Sequence, residues 1–586
     1  MKKSRSARAR LAVTIVVIVA IVVIFSGRLF DLQVIQGPTL AAKAQKDRST
    51  QVTTYGTRGA IEDTNGNVLA DSVDRFDITV APINVKLDGD DSYVKGVKVH
   101  TSFESELQSI AAITGQTTDE LRAAITADPK ANFAYLTKAV TLDVFTRVQA
   151  LHIPWIYYEP HPARTYPNGA IAGNLVGFVG TDGPQAGIEL KENSCLAPTN
   201  GTSTYEKGED GVRIPGSTVT QKNPKDGGTI KLTIDRDMQW FAQQTIAQRA
   251  QQIGAKWATA VVVRVADNHL MAVADYPTVD PNNVSAANPA ATGSRAFAIP
   301  YEPGSTFKAM SAASMIDAGV ITPTTKITLP SLYRFPDGAY IKDSFPHGVL
   351  KYTTAGVLEN SSNIGISILS EKLDAQSRRD YMLKFGVGQK TAVGFGGESS
   401  GHLGAVSSWD EITNRAVEFG QGVSATSVQV AQIFSTLANH GVHLPLTLVE
   451  GCYHADGTVT DKPSTKATRV ISAQAADETV QMLETVVSSG PNSPVLKIPG
   501  YRIAAKTGTA QVAGPNGYTD DRVISVAGIA PAENPKYVVL VTFGEPSTVK
   551  VSAAAAPAFR KLMIQVLKKY RIPPSTVPAP FIQTTW

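Results

Sequence analysis

The chain has 586 residues, too many for one ordinary hydrophobic core, so two or more domains are expected. Its formal net charge of +4 is small for that length, and with no basic stripe it argues against a nucleic-acid-binding protein. No His/Cys cluster has metal-ligand spacing, and nothing in the chain calls for a cofactor.

Lys2, Lys3, Arg5, Arg8 and Arg10 precede an uncharged run from Leu11 to Gly27, which Leu29, Phe30 and Leu32 can extend to membrane-spanning length. The positive-inside rule places the N-terminus in the cytoplasm and the rest of the chain outside. No small-x-small cleavage site follows the run, so it reads as an uncleaved single-pass anchor rather than a signal peptide. Arg28 and Asp31 then fall near the outer interface.

Beyond the anchor, Asn65-Gly66 between two short apolar segments predicts a hairpin. Ala111 to Ala127 reads as a helical insertion. The polar, glycine-rich stretch from Gly208 to Gly228 is a boundary signal. Asp235 is the expected cap of a helix beginning Arg236-Asp237-Met238. Thr259–Val265 and Leu270–Asp275 predict a hairpin about Asp267-Asn268, and Val523–Ile529 with Tyr537–Phe543 predict another. Gly394-Phe395-Gly396-Gly397 is a glycine-rich loop, and the proline-rich residues Ile572 to Trp586 are expected to form a loose tail. Cys195 and Cys452 fall in what read as different domains, and a bridge and two free thiols both stay open.

Three short motifs carry the chemistry. The first is Ser305-Thr306-Phe307-Lys308, preceded by Glu302-Pro303-Gly304. Phe307, Met310, Ser314, Met315 and Ala318 recur at helical spacing until Gly319, which predicts a buried helix starting near Ser305. Residues three apart share a helix face, so the Lys308 amine can reach the Ser305 hydroxyl. An amine serves as base for a hydroxyl only where burial or a nearby cation disfavours its charged form.

The second motif is Ser361-Ser362-Asn363, which alone would read as a helix cap. An extended stretch or tight loop would point Ser361 and Asn363 the same way. The third is Lys506-Thr507-Gly508-Thr509 in an apolar, strand-like stretch. Alternation sends Lys506 and Gly508 to one face and Thr507 and Thr509 to the other. Gly508, lacking a side chain, would let a peptide lie against the strand edge.

The set S-x-x-K, S-x-N, K-T-G, in this order, resembles the penicillin-binding proteins and class A β-lactamases. With the anchor, and with Thr57-Arg58-Gly59 to Ala70, Arg164-Thr165-Tyr166-Pro167, Gly177-Phe178-Val179-Gly180 and Gly187-Ile188-Glu189-Leu190, nearly the whole chain resembles a class B penicillin-binding protein of the septal type. Thr64 stands where the family usually has a basic residue.

The resemblance implies an α+β protein: an anchor (1–37), a non-catalytic pedestal (38–220), a transpeptidase domain with a central antiparallel sheet flanked by helices (221–570), and a tail (571–586). It implies acyl transfer through Ser305, with Lys308 as base, Ser361 as proton relay and Asn363 holding the donor peptide's amide. Lys506 would supply positive charge, Thr507 and Thr509 would bind the substrate carboxylate beside Gly508, and the N–H groups of Ser305 and Thr509 would form the oxyanion hole. The implied partners are peptidoglycan stem peptides on lipid-linked nascent glycan, β-lactams, a membrane-embedded glycosyltransferase and other division proteins. An elongation-type transpeptidase is the alternative, with a D,D-carboxypeptidase, a β-lactamase and a β-lactam-sensing receptor behind it. For the β-lactamase, Glu398 is the one suspect for a deacylating carboxylate, and its setting reads as a loop.

Overall fold

A computed structural model describes residues 3–94, 97–160, 162–206, 214–336, 338–514 and 517–586. The chain divides into two compact units, residues 1–57 with 198–226 and residues 58–197 with 227–586. In the first, helix Lys3–Phe30 passes through a short π-helical turn into helix Gly37–Arg48. Its segment Ala7–Ile35 is long and apolar enough to cross a membrane, and none of its most apolar window is buried in protein. Strands Ser49–Thr54, Gly201–Glu206 and Val219–Lys222 form an antiparallel sheet in that order.

The second unit interleaves distant parts of the sequence. The predicted Asn65-Gly66 hairpin joins Ile61–Glu62 to Val68–Val73, with Gly66 at φ 79°. Ile61–Glu62 pairs in parallel with Thr229–Leu232, which pairs on its other edge with Val449–Tyr453. The Cys195–Cys452 disulfide ties down this sheet, so the pair left open by sequence is bridged, with Cα atoms 6.0 Å apart. Gly228 lies between them, and a Cβ there would stand 2.6 Å from the Cys452 sulfur. At Thr64 the hydroxyl donates to Glu450, whose carboxylate meets Lys231 at 3.7 Å, so a cation reaches that acid from a neighbouring strand.

Three of the distinctive segments meet at one buried carboxylate. Glu189 accepts from Arg58 Nε at 2.8 Å and from Arg164 Nε at 2.6 Å, and its backbone carbonyl takes Arg58 Nη2. Glu189 is fully buried, so each guanidinium compensates for the desolvation of its carboxylate. A separate small core gathers sheet Ala134–Val140, Phe76–Val80, Ile156–Pro160 and their helices around Leu107, Leu121 and Trp155. The expected helical insertion is here two helices, Phe103–Thr114 and Thr118–Thr126, because Gly115 turns left-handed at φ 77° and Thr117 with Glu120 opens a new capping box.

The remainder builds around one sheet. Helix α1 (Arg236–Ile253) is capped by Asp235 as predicted, the carboxylate accepting from the N–H groups of Asp237 and Met238 at 3.0 Å. Strands β1 (Trp257–Arg264) and β2 (His269–Tyr276) form the first predicted hairpin. Then come a 3₁₀ turn at Gly304–Phe307, helix α2 (Lys308–Asp317), strands β3 (Lys326–Leu329) and β4 (Leu350–Thr353), and helices α3 (Thr354–Glu359) and α4 (Asn363–Ser370). Helices α5 (Ser427–Ala438) and α6 (Ala473–Ser488), strands β5 (Ala504–Gly514), β6 (Gly517–Ala530) and β7 (Tyr537–Gly544), and helix α7 (Ala556–Lys569) complete it.

The sheet is antiparallel in the order β2-β1-β7-β6-β5. Alternation along β1 sends Ala258, Ala260 and Val262 into a core shared with α1 and α7, and Val261 and Val263 into the core shared with α2, α5 and α6. This is the helix–sheet–helix form of the expected α+β class.

The expectation of a loose tail does not hold. Ile582 packs on the main core, Thr585 pairs with Tyr352, and the Trp586 indole donates to the carbonyls of Ile327 and Tyr352 at 3.2 Å each. Proline-rich composition hides such docking, because extended backbone pairing has no sequence period.

Glu189→Gln leaves two largely buried guanidinium groups short of a negative partner. It is expected to lower unfolding stability by about 3–5 kcal/mol, read from chemical denaturation followed by tryptophan fluorescence. A change under about 1 kcal/mol would mean that the cluster contributes little.

Candidate active site

Ser305 is the second residue of the short 3₁₀ turn, and Lys308 is the first residue of α2. At three residues per turn, positions i and i+3 eclipse, so Lys308 stands over Ser305 more directly than in an α-helix. The Lys308 amine lies 3.0 Å from Ser305 Oγ. It also donates to the Ser361 carbonyl at 2.5 Å and to Asn363 Oδ1 at 2.7 Å, and lies 3.4 Å from Ser361 Oγ.

Ser361 has φ 59°, a left-handed conformation uncommon outside glycine. That tight loop turns its carbonyl to Lys308 and sets its hydroxyl between the two lysines. The cap expected for this motif is real but belongs to Ser362, whose Oγ accepts from Gly365 N at 2.8 Å. Asn363 then starts α4, which brings its amide beside Lys308. Lys506, on edge strand β5, donates to Ser361 Oγ at 2.8 Å and to the Thr507 carbonyl at 3.2 Å.

Ser305, Lys308, Ser361, Asn363 and Lys506 therefore form one continuous hydrogen-bonded group. Both lysines are fully buried. Burial drives the Lys308 pKa far below the usual lysine value and the nearby Lys506 cation pushes the same way, while the Asp343 carboxylate opposes them. Burial alone brings Lys506 down to about 7.

Thr507 is buried, Thr509 is exposed, and Gly508 between them shares the inner face with Lys506. The space of a Gly508 side chain is already taken: a Cβ would lie 2.4 Å from Ser525 Oγ and 2.9 Å from the Pro303 carbonyl. Gly508 thus allows the Ser305 turn to close on β5, a packing reason beside the expected one. Gly304, at φ 58°, makes the matching approach, its missing Cβ falling 2.7 Å from the Thr509 carbonyl.

Sequence reasoning missed Asp343. Its carboxylate accepts from Asn363 N at 2.5 Å, Ile364 N at 3.0 Å and Ser362 Oγ at 2.7 Å, and meets His347 Nε2 at 3.1 Å. It caps α4 from a loop 20 residues upstream, and no local pattern announces such a contact. Glu302 precedes the Ser305 motif in sequence, and its carboxylate meets two partners distant in sequence. It accepts from Gly422 N at 3.0 Å and Tyr518 OH at 2.9 Å, and burial raises its pKa. Glu398 is a buried loop residue that accepts from Thr391 N at 2.9 Å.

Residues 258–564 match the family described as penicillin binding protein transpeptidase domain, and residues 53–232 match the penicillin-binding protein dimerisation domain. The chain is 32% identical over 588 aligned residues to penicillin-binding protein PbpB of Mycolicibacterium smegmatis, covering 96% of this chain and 90% of that one. It is 30% identical to peptidoglycan D,D-transpeptidase FtsI of Escherichia coli, covering 94% and 90%. Among solved structures, a peptidoglycan synthetase from Bifidobacterium adolescentis superposes with a TM-score of 0.72 at 32% identity, covering 92% of this chain and 100% of that one. Penicillin binding protein 3 of Mycobacterium tuberculosis, complexed with aztreonam, gives 0.68 at 26% identity, covering 91% and 100%. The chain belongs to the class B penicillin-binding proteins.

The two buried amines set a titration test. In a protein carrying ¹³C-labelled lysine side chains, one resonance is expected to titrate near pH 7 (Lys506) and another well below the normal lysine range (Lys308). Lys506→Met should remove the first and raise the second, because it deletes a cation that opposes protonation of Lys308. An unmoved Lys308 resonance would show that the amines are not coupled.

Proposed function

We propose that this penicillin-binding protein is a peptidoglycan D,D-transpeptidase of septal wall synthesis, acting through an acyl-Ser305 intermediate and acylated at the same serine by β-lactams. The observation that carries the reading is the unbroken chain Ser305–Lys308–Ser361–Lys506, built on two buried amines. A neutral amine has two N–H bonds and one lone pair. The Ser361 carbonyl and Asn363 Oδ1 accept the two N–H bonds, which leaves the lone pair for the Ser305 hydroxyl proton.

Ser305 Oγ attacks the carbonyl carbon of the D-Ala-D-Ala bond while Lys308 takes its proton. The tetrahedral oxyanion is held by the N–H groups of Ser305 and Thr509, a role supported by the close approach of Gly304 to Thr509. Collapse breaks the C–N bond, and the departing D-alanine amine receives a proton through Ser361, which bonds both lysines. Asn363 holds the donor peptide's amide, while Thr507, Thr509 and the Lys506 charge bind the terminal carboxylate beside Gly508. An amine of a second stem peptide then attacks the ester carbon and gives its proton to Lys308, and as the C–Oγ bond breaks Lys308 passes that proton to Ser305 Oγ, which restores the serine and the neutral lysine.

The apolar helix anchors the chain with its basic N-terminus in the cytoplasm and the catalytic unit outside. Residues 38–220 serve as the pedestal, and the glycan-forming partner is a membrane-embedded glycosyltransferase working with other division proteins.

A fluorescent penicillin is expected to label the full-length protein in detergent on Ser305, with Ser305→Ala unlabelled. Lys308→Met should slow acylation by about 10²–10⁴-fold, and Lys308→Arg should fail as well, since a guanidinium does not deprotonate. An adduct mapped to another serine, or Lys308→Met acylating within a few-fold of wild type, would overturn the assignment. With a stem-peptide donor and an amine acceptor, release of D-alanine should accompany the cross-linked product. Hydrolysis alone would indicate a carboxypeptidase.

The pH profile of acylation follows from the two lysines. Activity should fall as acid protonates Lys308, and fall again above about pH 7 as Lys506 loses its charge. Lys506→Arg should remove the alkaline limb. A profile flat from pH 6 to 10 in the wild type would contradict the assigned charge states.

A further inference from the structure

We infer that the C-terminal residues Gln583–Trp586 are a positioning strap for the catalytic group, acting through α3 on Ser361. The inference rests on the transpeptidase reading above and adds a part of the chain that its chemistry does not touch. β4 pairs on one edge with β3, and on the other Tyr352 pairs antiparallel with Thr585. Thr353, the cap of α3, is bound twice by the strap: its N–H donates to the Thr584 carbonyl at 3.0 Å and its hydroxyl to the Gln583 carbonyl at 2.6 Å. The same hydroxyl accepts from Gly356 N at 3.3 Å. The strap and the helix start thus share one side chain.

Gly356 strengthens the case. A Cβ at this helical position would collide with the Thr584 carbonyl oxygen, so the glycine is what lets the strap lie against α3. Trp586 locks the end, its indole N–H shared between the carbonyls of Ile327 and Tyr352 and its ring beneath Lys326 and Lys351 at 5.2 and 4.7 Å.

From Thr353 the path to the site is short. α3 is six residues long, and its last turn passes directly into Ser361 through Ser361 N to Leu358 O and Ser362 N to Val357 O. Ser361 is held left-handed there, a conformation that persists only where its surroundings over-determine it. Asp343 fixes the α4 side of this loop, and the strap fixes the α3 side. With the strap removed, the first turn of α3 loses its capped anchor and Ser361 is free to leave the two lysines.

The test compares the full-length protein with a form lacking residues 583–586, with Trp586→Ala and with Gly356→Ala. Each variant should acylate Ser305 more slowly, the truncation by roughly 10²-fold, the cost of a displacement of about 1 Å in a positioned group. The melting temperature should stay close to wild type, and a synthetic peptide spanning residues 578–586 should restore the truncated protein's rate where a scrambled peptide does not. A truncated protein acylating at the wild-type rate would overturn the inference. So would a rate lost together with the melting transition and not recovered by the peptide, since the strap would then be structural only. Should the wild type take no label on Ser305, the functional reading fails instead. The strap is then judged on the lysine resonances, whose titration must shift on truncation and return with the peptide.

Discussion

Two amines held out of water within reach of one serine hydroxyl set the terms for the rest of this structure. A buried lysine prefers to be neutral, and a second lysine beside it makes charging the first harder still. Lys308 and Lys506 can remain buried only because fixed acceptors receive their N–H hydrogen bonds: the Ser361 carbonyl, Asn363 Oδ1, Ser361 Oγ and the Thr507 carbonyl. Those acceptors come from a loop, a helix start and an edge strand, so three separate elements must arrive in register. The five-stranded sheet supplies the register. Its edge strand β5 carries Lys506, and its inner face packs the helix that carries Lys308.

Glycine marks the places where these elements approach most closely. Gly304 and Gly508 are bare where the Ser305 turn meets β5, and Gly420, at φ 76°, lies against the Gly304 backbone. A side chain at any of these points would push the serine away from the strand.

The motif residues were legible because their spacing within each motif is local. Ser305 and Lys308 sit one 3₁₀ turn apart, and the Asn65-Gly66 and Asp267-Asn268 turns follow from glycine and asparagine tolerating positive φ. The hairpins of the sheet were legible for the same reason, since alternation and turn residues are read over a few positions. What stayed hidden was made between distant segments. The Cys195–Cys452 bridge spans 257 residues, Trp586 bonds carbonyls more than 230 positions away, and Glu189 draws arginines from two other segments. The tail misled for a further reason: its contacts are carbonyl and amide groups in extended backbone, which any sequence possesses. At Gly508 the sequence suggested room for a ligand, while the structure also shows an internal neighbour occupying that side.

Asp343 shows how the site keeps its electrostatic balance. A carboxylate placed directly on Lys308 would hold the amine charged and remove its basicity. Asp343 is close enough to oppose the depression of the Lys308 pKa, yet its oxygens are taken by two backbone N–H groups at the start of α4, the Ser362 hydroxyl and His347. Its charge is therefore met mainly by a helix N-terminus, whose partial positive charge is fixed and carries no transferable proton. Because the same bonds fix the backbone at Asn363, the group that moderates Lys308 also aims one of its acceptors. Charge and geometry are set by one side chain, so the balance of the two amines cannot be altered at Asp343 without moving the loop that joins them.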